Sequence, residues 1–200
     1  VTISGLEQIQ NSGTEAVINL LESRIGVLEK TMSNILSTSL YSDGTGTSGK
    51  EVGGLQLIVA DAGTGTVGGI NSSTYTFWQN AQTTATSSAF STTNIQADMN
   101  TIYLSLVRGA DSPDLIMADT NSYKSFLGSL QAIQRVTSDR VATSGFTSVQ
   151  YLNSDVIFDD ACPANKMYFL NTDYLRLEVA ANRNFVPGEA KMSVNQDAMV

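Results

Sequence analysis

Histidine is absent from all 200 residues. Its absence removes the Ser-His-Asp and Cys-His nucleophile systems, imidazole-ligated zinc and the commonest general base near neutral pH, leaving only paired carboxylates or a lysine for acid–base work. Cysteine occurs once, as Cys162, so an internal disulfide is impossible. With neither a second cysteine nor a histidine to share a metal, Cys162 reads as an inert buried thiol in Asp160-Ala161-Cys162-Pro163. Charge is sparse, at 15% of residues against a typical ~25%. Lys and Arg number 11 against 19 Asp and Glu, a net charge of −8, and the basic residues do not cluster, which argues against tight nucleic-acid binding. No apolar run approaches the ~18 residues of a membrane span. There is no signal peptide and no initiator Met; the chain starts Val1-Thr2-Ile3.

The hydrophobic fraction, 42%, is that of a globular chain, and Ser and Thr take the polar share that charge leaves vacant. A surface poor in long charged side chains suits a protein that buries much of it against neighbours. Two hundred residues allow one full core, or one domain with a long appendage.

The longest periodic segment starts at Ser12-Gly13-Thr14-Glu15, a capping box. Apolar residues follow at Val17, Leu21, Ile25, Leu28, Met32, Ile35 and Leu40, with Leu20 and Leu36 beside them, one face of a helix from about 12 to 40. Such a helix is about 28 residues and roughly 42 Å long. It would brace a domain edge or pair in a coiled coil. Asp43-Gly44 stops it. Residues 55–60 (LQLIVA) make a short apolar element, strand or helix; 63–69 a loop; 74–78 (TYTFW) a strand; 81–92 an extended stretch. Helices are predicted at 93–108, capped by Thr93 and Gln96, and at 120–136, with a buried strand at 114–118 between them. A hairpin over 148–152 and 155–158 turns at Asn153-Ser154, and strands are expected at 167–170, 174–180 and 189–200. Both ends look cut, so the chain reads as the middle of a longer protein.

Two stretches imitate nucleotide-binding motifs. Gly44 to Glu51, GTGTSGKE, falls one residue short of G-x-x-x-x-G-K-[ST]. A phosphate loop needs a strand before it, a helix after it and a hydroxyl for Mg²⁺; here a helix precedes, Val52-Gly53-Gly54 follows, and Glu51 brings negative charge instead. Gly63-Thr64-Gly65-Thr66-Val67-Gly68 spells G-x-G-x-x-G, but no helical stripe follows and the next acid is Asp98, too far on for a ribose. Both read as loops. Asp155, Asp159 and Asp160 could work as a carboxylate pair or hold a hard cation, yet adjacent Asp159 and Asp160 would diverge on an extended chain and read as turn formers. Tyr75, Phe77 and Trp78 could form a ligand platform, or divide between core and surface. The sequence implies no catalytic residue, no metal site and no cofactor. An enzyme lacks a reactive constellation here, and a secreted adhesin module is opposed by the long capped helix.

In their order, several stretches resemble the major capsid proteins of tailed bacteriophages with the Hong Kong 97-type fold. They are Leu40-Tyr41-Ser42-Asp43-Gly44-Thr45 closing the long helix, 67–80 (VGGINSSTYTFWQN), 112–117 (SPDLIM), Gly145-Phe146, 167–175 (MYFLNTDYL) and 193–200 (SVNQDAMV). The resemblance implies an α+β fold. A peripheral domain would take 1–50, with the long helix as its spine, and 182–200 as a return strand; 51–181 would form an axial domain, a mixed sheet flanked by helices. It implies a structural subunit that self-assembles with identical copies into hexamers and pentamers, enclosing a genome in the virion after synthesis in the host cytoplasm. Scaffold, portal or maturation protease are the further partners it raises. An encapsulin-like nanocompartment shell is the alternative. An N-terminal arm and extended loop are expected before Val1, and a last strand after Val200, so this chain would fold without assembling. Some relatives cross-link Lys to Asn between subunits; Lys50, Lys166 and Asn171 do not match those sites. The loop expected at the capsomer axis is 137–145, with Thr137, Ser138, Asp139, Arg140, Thr143, Ser144 and Gly145.

Overall fold

A computed structural model describes residues 3–4, 6–7, 14–86, 89–130, 149–182 and 198–199. The chain divides into two compact units, Val1–Ser37 with Leu177–Val200, and Thr38–Arg176.

In the first unit, β1 (Ile3–Ser4) pairs antiparallel with the strand Ala198–Met199. Ser4 and Glu7 form a reciprocal cap: the Ser4 N–H donates to Glu7 Oε2 at 3.0 Å and the Glu7 N–H to Ser4 Oγ at 3.3 Å. Arg24 pairs with Glu7. The expected cap residue Ser12 lies outside the described residues. The long helix, α1 (Thr14–Ser39), has 26 residues and is therefore about 39 Å long. Side chains of 14–21 are likewise outside the description. Beyond them the apolar stripe is only partly covered: Met32 and Leu36 are half-buried, while Ile25, Leu28 and Ile35 are 40–60% exposed, as is Val27, off the stripe, at 61%.

The second unit opens with a strap. Past the end of α1 the chain reverses, and Leu55 N–H returns to the Leu40 carbonyl at 2.7 Å. Gly54 is needed there, because a Cβ would stand 2.3 Å from that carbonyl oxygen. The element at 55–60 is a single helical turn, α2 (Leu55–Ile58). The G-x-G-x-x-G stretch is a hairpin of β2 (Thr66–Val67) and β3 (Ile70–Asn71), turning on Gly68 and Gly69 at φ +59° and +81°. Positive φ at both central residues is the demand of a type I′ turn, which only glycine meets without cost.

The strand expected at 74–78 is instead a 3₁₀ turn, Thr76–Trp78. Asn71 overrides the β-rich composition: its side chain accepts from Ser73 N–H at 2.9 Å and its carbonyl from Thr74 and Tyr75, coiling the chain first. Residues 81–86 and 89–92 have no regular structure, as their composition predicts. Helix α3 (Ile95–Leu106) follows, capped from Ser91 and Asn94 rather than Thr93 and Gln96. Gln96 instead reaches Ser129 Oγ at 3.1 Å.

Strand β4 (Leu115–Ala118) leads through Asp119 into α4 (Thr120–Ser129); the carboxylate of Asp119 takes the N–H groups of Asn121 and Ser122. The rest of the predicted helix, 131–136, lies outside the described residues. β5 (Val149–Tyr151) and β6 (Ser154–Phe158) form the hairpin, with Leu152 at φ +52° in its turn, and β7 (Met167–Leu170) completes a mixed sheet ordered β5-β6-β4-β7. β4 is parallel to β6 and antiparallel to β7. The expected strand at 174–180 does not form: Thr172–Tyr174 is a 3₁₀ turn and no regular element follows through 182. Of the strand expected at 189–200, only β8 (Ala198–Met199) is described.

Side chains alternate across the sheet. One face buries Ile116, Val149 and Val156 against Ile95 and Met99 of α3 and Phe126 of α4. The other buries Tyr168 and Leu170 with Tyr41 and Cys162, and α2 packs there through Leu55. The fold is thus α+β, with a long N-terminal helix and a four-stranded mixed sheet.

Candidate functional site

The GTGTSGKE loop is closed on itself. Thr45 is tied to Asp43 through its N–H (3.0 Å) and its hydroxyl (2.8 Å). Thr47, Ser48 and Gly49 are left-handed, at φ +48°, +58° and +75°. The Thr47 hydroxyl donates to Glu51 Oε1 at 3.1 Å, and the Glu51 carboxylate lies over Gly46, where a Cβ would meet it at 2.3 Å. A carboxylate therefore fills the space a phosphate would need. The second imitation is equally spoken for: Ser72 closes the β2–β3 hairpin, its hydroxyl donating to the Gly65 carbonyl (3.0 Å) and accepting the Gly65 N–H (2.8 Å).

The three aspartates are not brought together for chemistry. Asp155 is buried in β6. Asp159 forms the turn its type predicts, accepting Ala161 N–H on Oδ1 at 2.9 Å, and takes the Tyr41 hydroxyl on Oδ2 at 2.7 Å. Among the described residues no group of three His, Cys, Asp or Glu is placed to hold a metal ion. Cys162 is buried; burial, then the charges of Asp119 and Asp159, push its thiol up to about 12, so it is not nucleophilic near neutral pH. The residues expected at the capsomer axis, Thr137, Ser138, Asp139, Arg140, Thr143, Ser144 and Gly145, lie outside the described residues.

What the fold does present is apolar surface. Residues 73–79 are exposed throughout, and Phe77 is 80% exposed, with its ring edge-on to Tyr75 at 6.0 Å and Trp78 open beside it. Asn71 chemistry, which produces this turn, was the signal in the sequence; the β-rich composition masked it. The exposed stripe of α1 is a second such surface. Large apolar patches on a folded chain mark sites where another chain binds. No helix among the described residues is long and apolar enough to cross a membrane.

Comparison with known proteins bears on what covers these surfaces. The family model described as SU10 major capsid protein matches residues 1–191. No curated protein matches the chain. The match is to a phage capsid family, which decides against the nanocompartment alternative and against catalysis. A non-catalytic chain, with loops closed where ligands would sit and apolar faces left open, thus belongs to the SU10 major capsid protein family and is a structural capsid subunit of a phage virion.

Proposed function

We propose that the chain builds a Hong Kong 97-type shell, in which hexamers and pentamers of identical subunits enclose the genome. The carrying observation is the uncovered apolar stripe of α1, through Ile25, Leu28 and Ile35. A helix of this length with an unsatisfied face needs a partner. Division of the chain into Val1–Ser37 with Leu177–Val200, and Thr38–Arg176, supports a split into peripheral and axial domains, with bounds that differ from the expected 1–50, 51–181 and 182–200. In this reading Thr137 to Gly145 line the capsomer axis, a place suited to a polar, glycine-containing loop. Scaffold, portal or maturation protease would act on the assembly. A low-charge subunit suits such a shell, in which each contact is modest and repetition makes the whole stable.

The test is electron microscopy of the protein with Leu28→Asp and Ile35→Asp together. Both side chains are exposed, so the fold is retained while closed shells are lost. Shells of normal size and yield from the double variant would refute the role given to this stripe.

A further inference from the structure

Among the described residues β7 is an edge strand, paired with β4 alone. The Asp119 N–H meets the Lys166 carbonyl at 3.2 Å, so by the alternation of an antiparallel ladder Tyr168 and Leu170 turn their backbone groups to β4, while Met167 and Phe169 turn theirs outward. The β4–β6 ladder fixes the same phase: Asp155 and Asp159 donate to the carbonyls of Asp114 and Ala118, leaving Leu115, Met117 and Asp119 to face β7. Among the described residues no hydrogen bond reaches the outward groups of Met167 and Phe169.

These groups face a cavity of about 490 Å³ with Met99, Ile102 and Leu106 of α3 on its far wall. The stretch 79–90 covers it without pairing: among its described residues from 80 onward there is no backbone–backbone hydrogen bond. Side chains hold it instead, Asn80 on the Ala60 carbonyl (3.0 Å) and Thr86 on Asp98 (N–H at 3.2 Å). An unpaired strand edge beside an apolar cavity is a template for an added strand.

One described segment has the opposite need. Leu175, Leu177 and Val179 alternate with Arg176 and Glu178, the period of a half-buried strand; Leu175 packs against the Tyr41 and Tyr168 cluster of its own chain, but 175–180 lies outside every described sheet, and Leu177 and Val179 are 58% and 52% exposed. Its own β7 edge is not offered to it. Asp114 takes the Thr172 N–H at 2.8 Å and its hydroxyl, and Asp111 takes the Tyr174 hydroxyl at 3.1 Å, which turns the chain toward the start of β4 and away from the free edge. Set beside β7, the segment would place Leu177 and Val179 toward Met99 and Ile102. Arg176 and Glu178 would then fall on the side of Asp61 and Lys166, which pair with each other in the single chain and could exchange partners with them.

We infer that the β7 edge accepts the 175–180 segment of a second copy of the chain. This rests on the self-assembly of identical subunits proposed above. The contact joins two different patches, and such head-to-tail contacts close into rings when the rotation permits.

Amide hydrogen exchange tests it, with a synthetic peptide spanning Tyr174 to Ala181 as the probe. An excess of peptide slows the Met167 and Phe169 amides by about tenfold or more, and a peptide carrying Leu177→Asp and Val179→Asp does not. Met167→Pro deletes an outward N–H that the fold does not use, and abolishes protection of Phe169; Met167→Ala loses the same packing and keeps it. Unchanged exchange with the peptide overturns the inference. So does protection of both amides in protein kept dilute and monomeric, without peptide, which would mean that the chain closes the edge itself. Shells formed equally by Met167→Pro and Met167→Ala also overturn it, while leaving the assembly of the shell untouched.

Discussion

Replacing Tyr41 with phenylalanine has an effect on stability that reverses sign with pH. Tyr41 lies just past α1, buried, its ring 6.0 Å from Tyr168 and its hydroxyl 2.7 Å from Asp159 Oδ2. The substitution keeps the ring and removes one hydrogen bond to a carboxylate. Asp159 retains Ala161 N–H and is half-buried, so water takes up part of the loss. The cost near neutral pH is about 1.5 kcal/mol, the low end for a bond to a charged group. At high pH a second effect enters. Burial, then the bond and charge of Asp159, hold the Tyr41 proton far above the ordinary value of 10.0. The unfolded chain therefore releases this proton above about pH 10 while the folded chain keeps it. Stability from this group is fully present below pH 10 and falls above it, by about 1.4 kcal/mol per pH unit. Tyr41→Phe has no such loss. Burial also holds Tyr168 and Tyr151, each at about 12, but they titrate alike in both proteins and cancel in the difference. The deficit of the variant thus shrinks above pH 10 and vanishes near about pH 11, beyond which the variant is the more stable. Urea unfolding followed by circular dichroism, from neutral pH to about pH 11, measures this difference. A difference that stays constant across the range would refute the coupling of Tyr41 ionisation to folding.

Two further substitutions test the core and the strained turn. Phe126 is fully buried and edge-on to Tyr151 at 5.9 Å, so Phe126→Ala lowers unfolding free energy by about 3–5 kcal/mol in urea titration. Leu152→Asn places a residue tolerant of left-handed backbone where Leu stands exposed at φ +52°, and raises thermal stability by about 0.5–1 kcal/mol; no gain would show the turn to be unstrained.

The interior of the second unit was legible because its partners lie in the same chain. Ile95, Met99 and Ile102 recur on one face of α3 and are buried as that spacing demands, and 115–118 reads as a buried strand and is one. The hairpin 149–158 was visible in its turn residues, although the turn falls on Leu152 and Asn153, and Ser154 already belongs to β6. Local chemistry explains the nearer errors. Asn71 coils a segment whose Thr, Tyr, Phe and Trp favour a strand, and Ser91 with Asn94 captures the start of α3 from Thr93 and Gln96. In each case a short polar side chain reached backbone N–H groups, which a hydrophobic pattern does not record.

The one remaining error, at 175–180, has another cause, which it shares with the exposed face of α1. The periodicity of 175–180 calls for a sheet edge and that of α1 for a covering surface, and neither is provided among the described residues. Fully burying a side chain such as Ile or Leu yields about 1.5–3 kcal/mol. Ile25, Val27, Leu28 and Ile35, each 40–61% exposed, realise only about half of this. Together they leave roughly 3–6 kcal/mol per subunit unrealised, which a contact repeated over a closed shell would multiply.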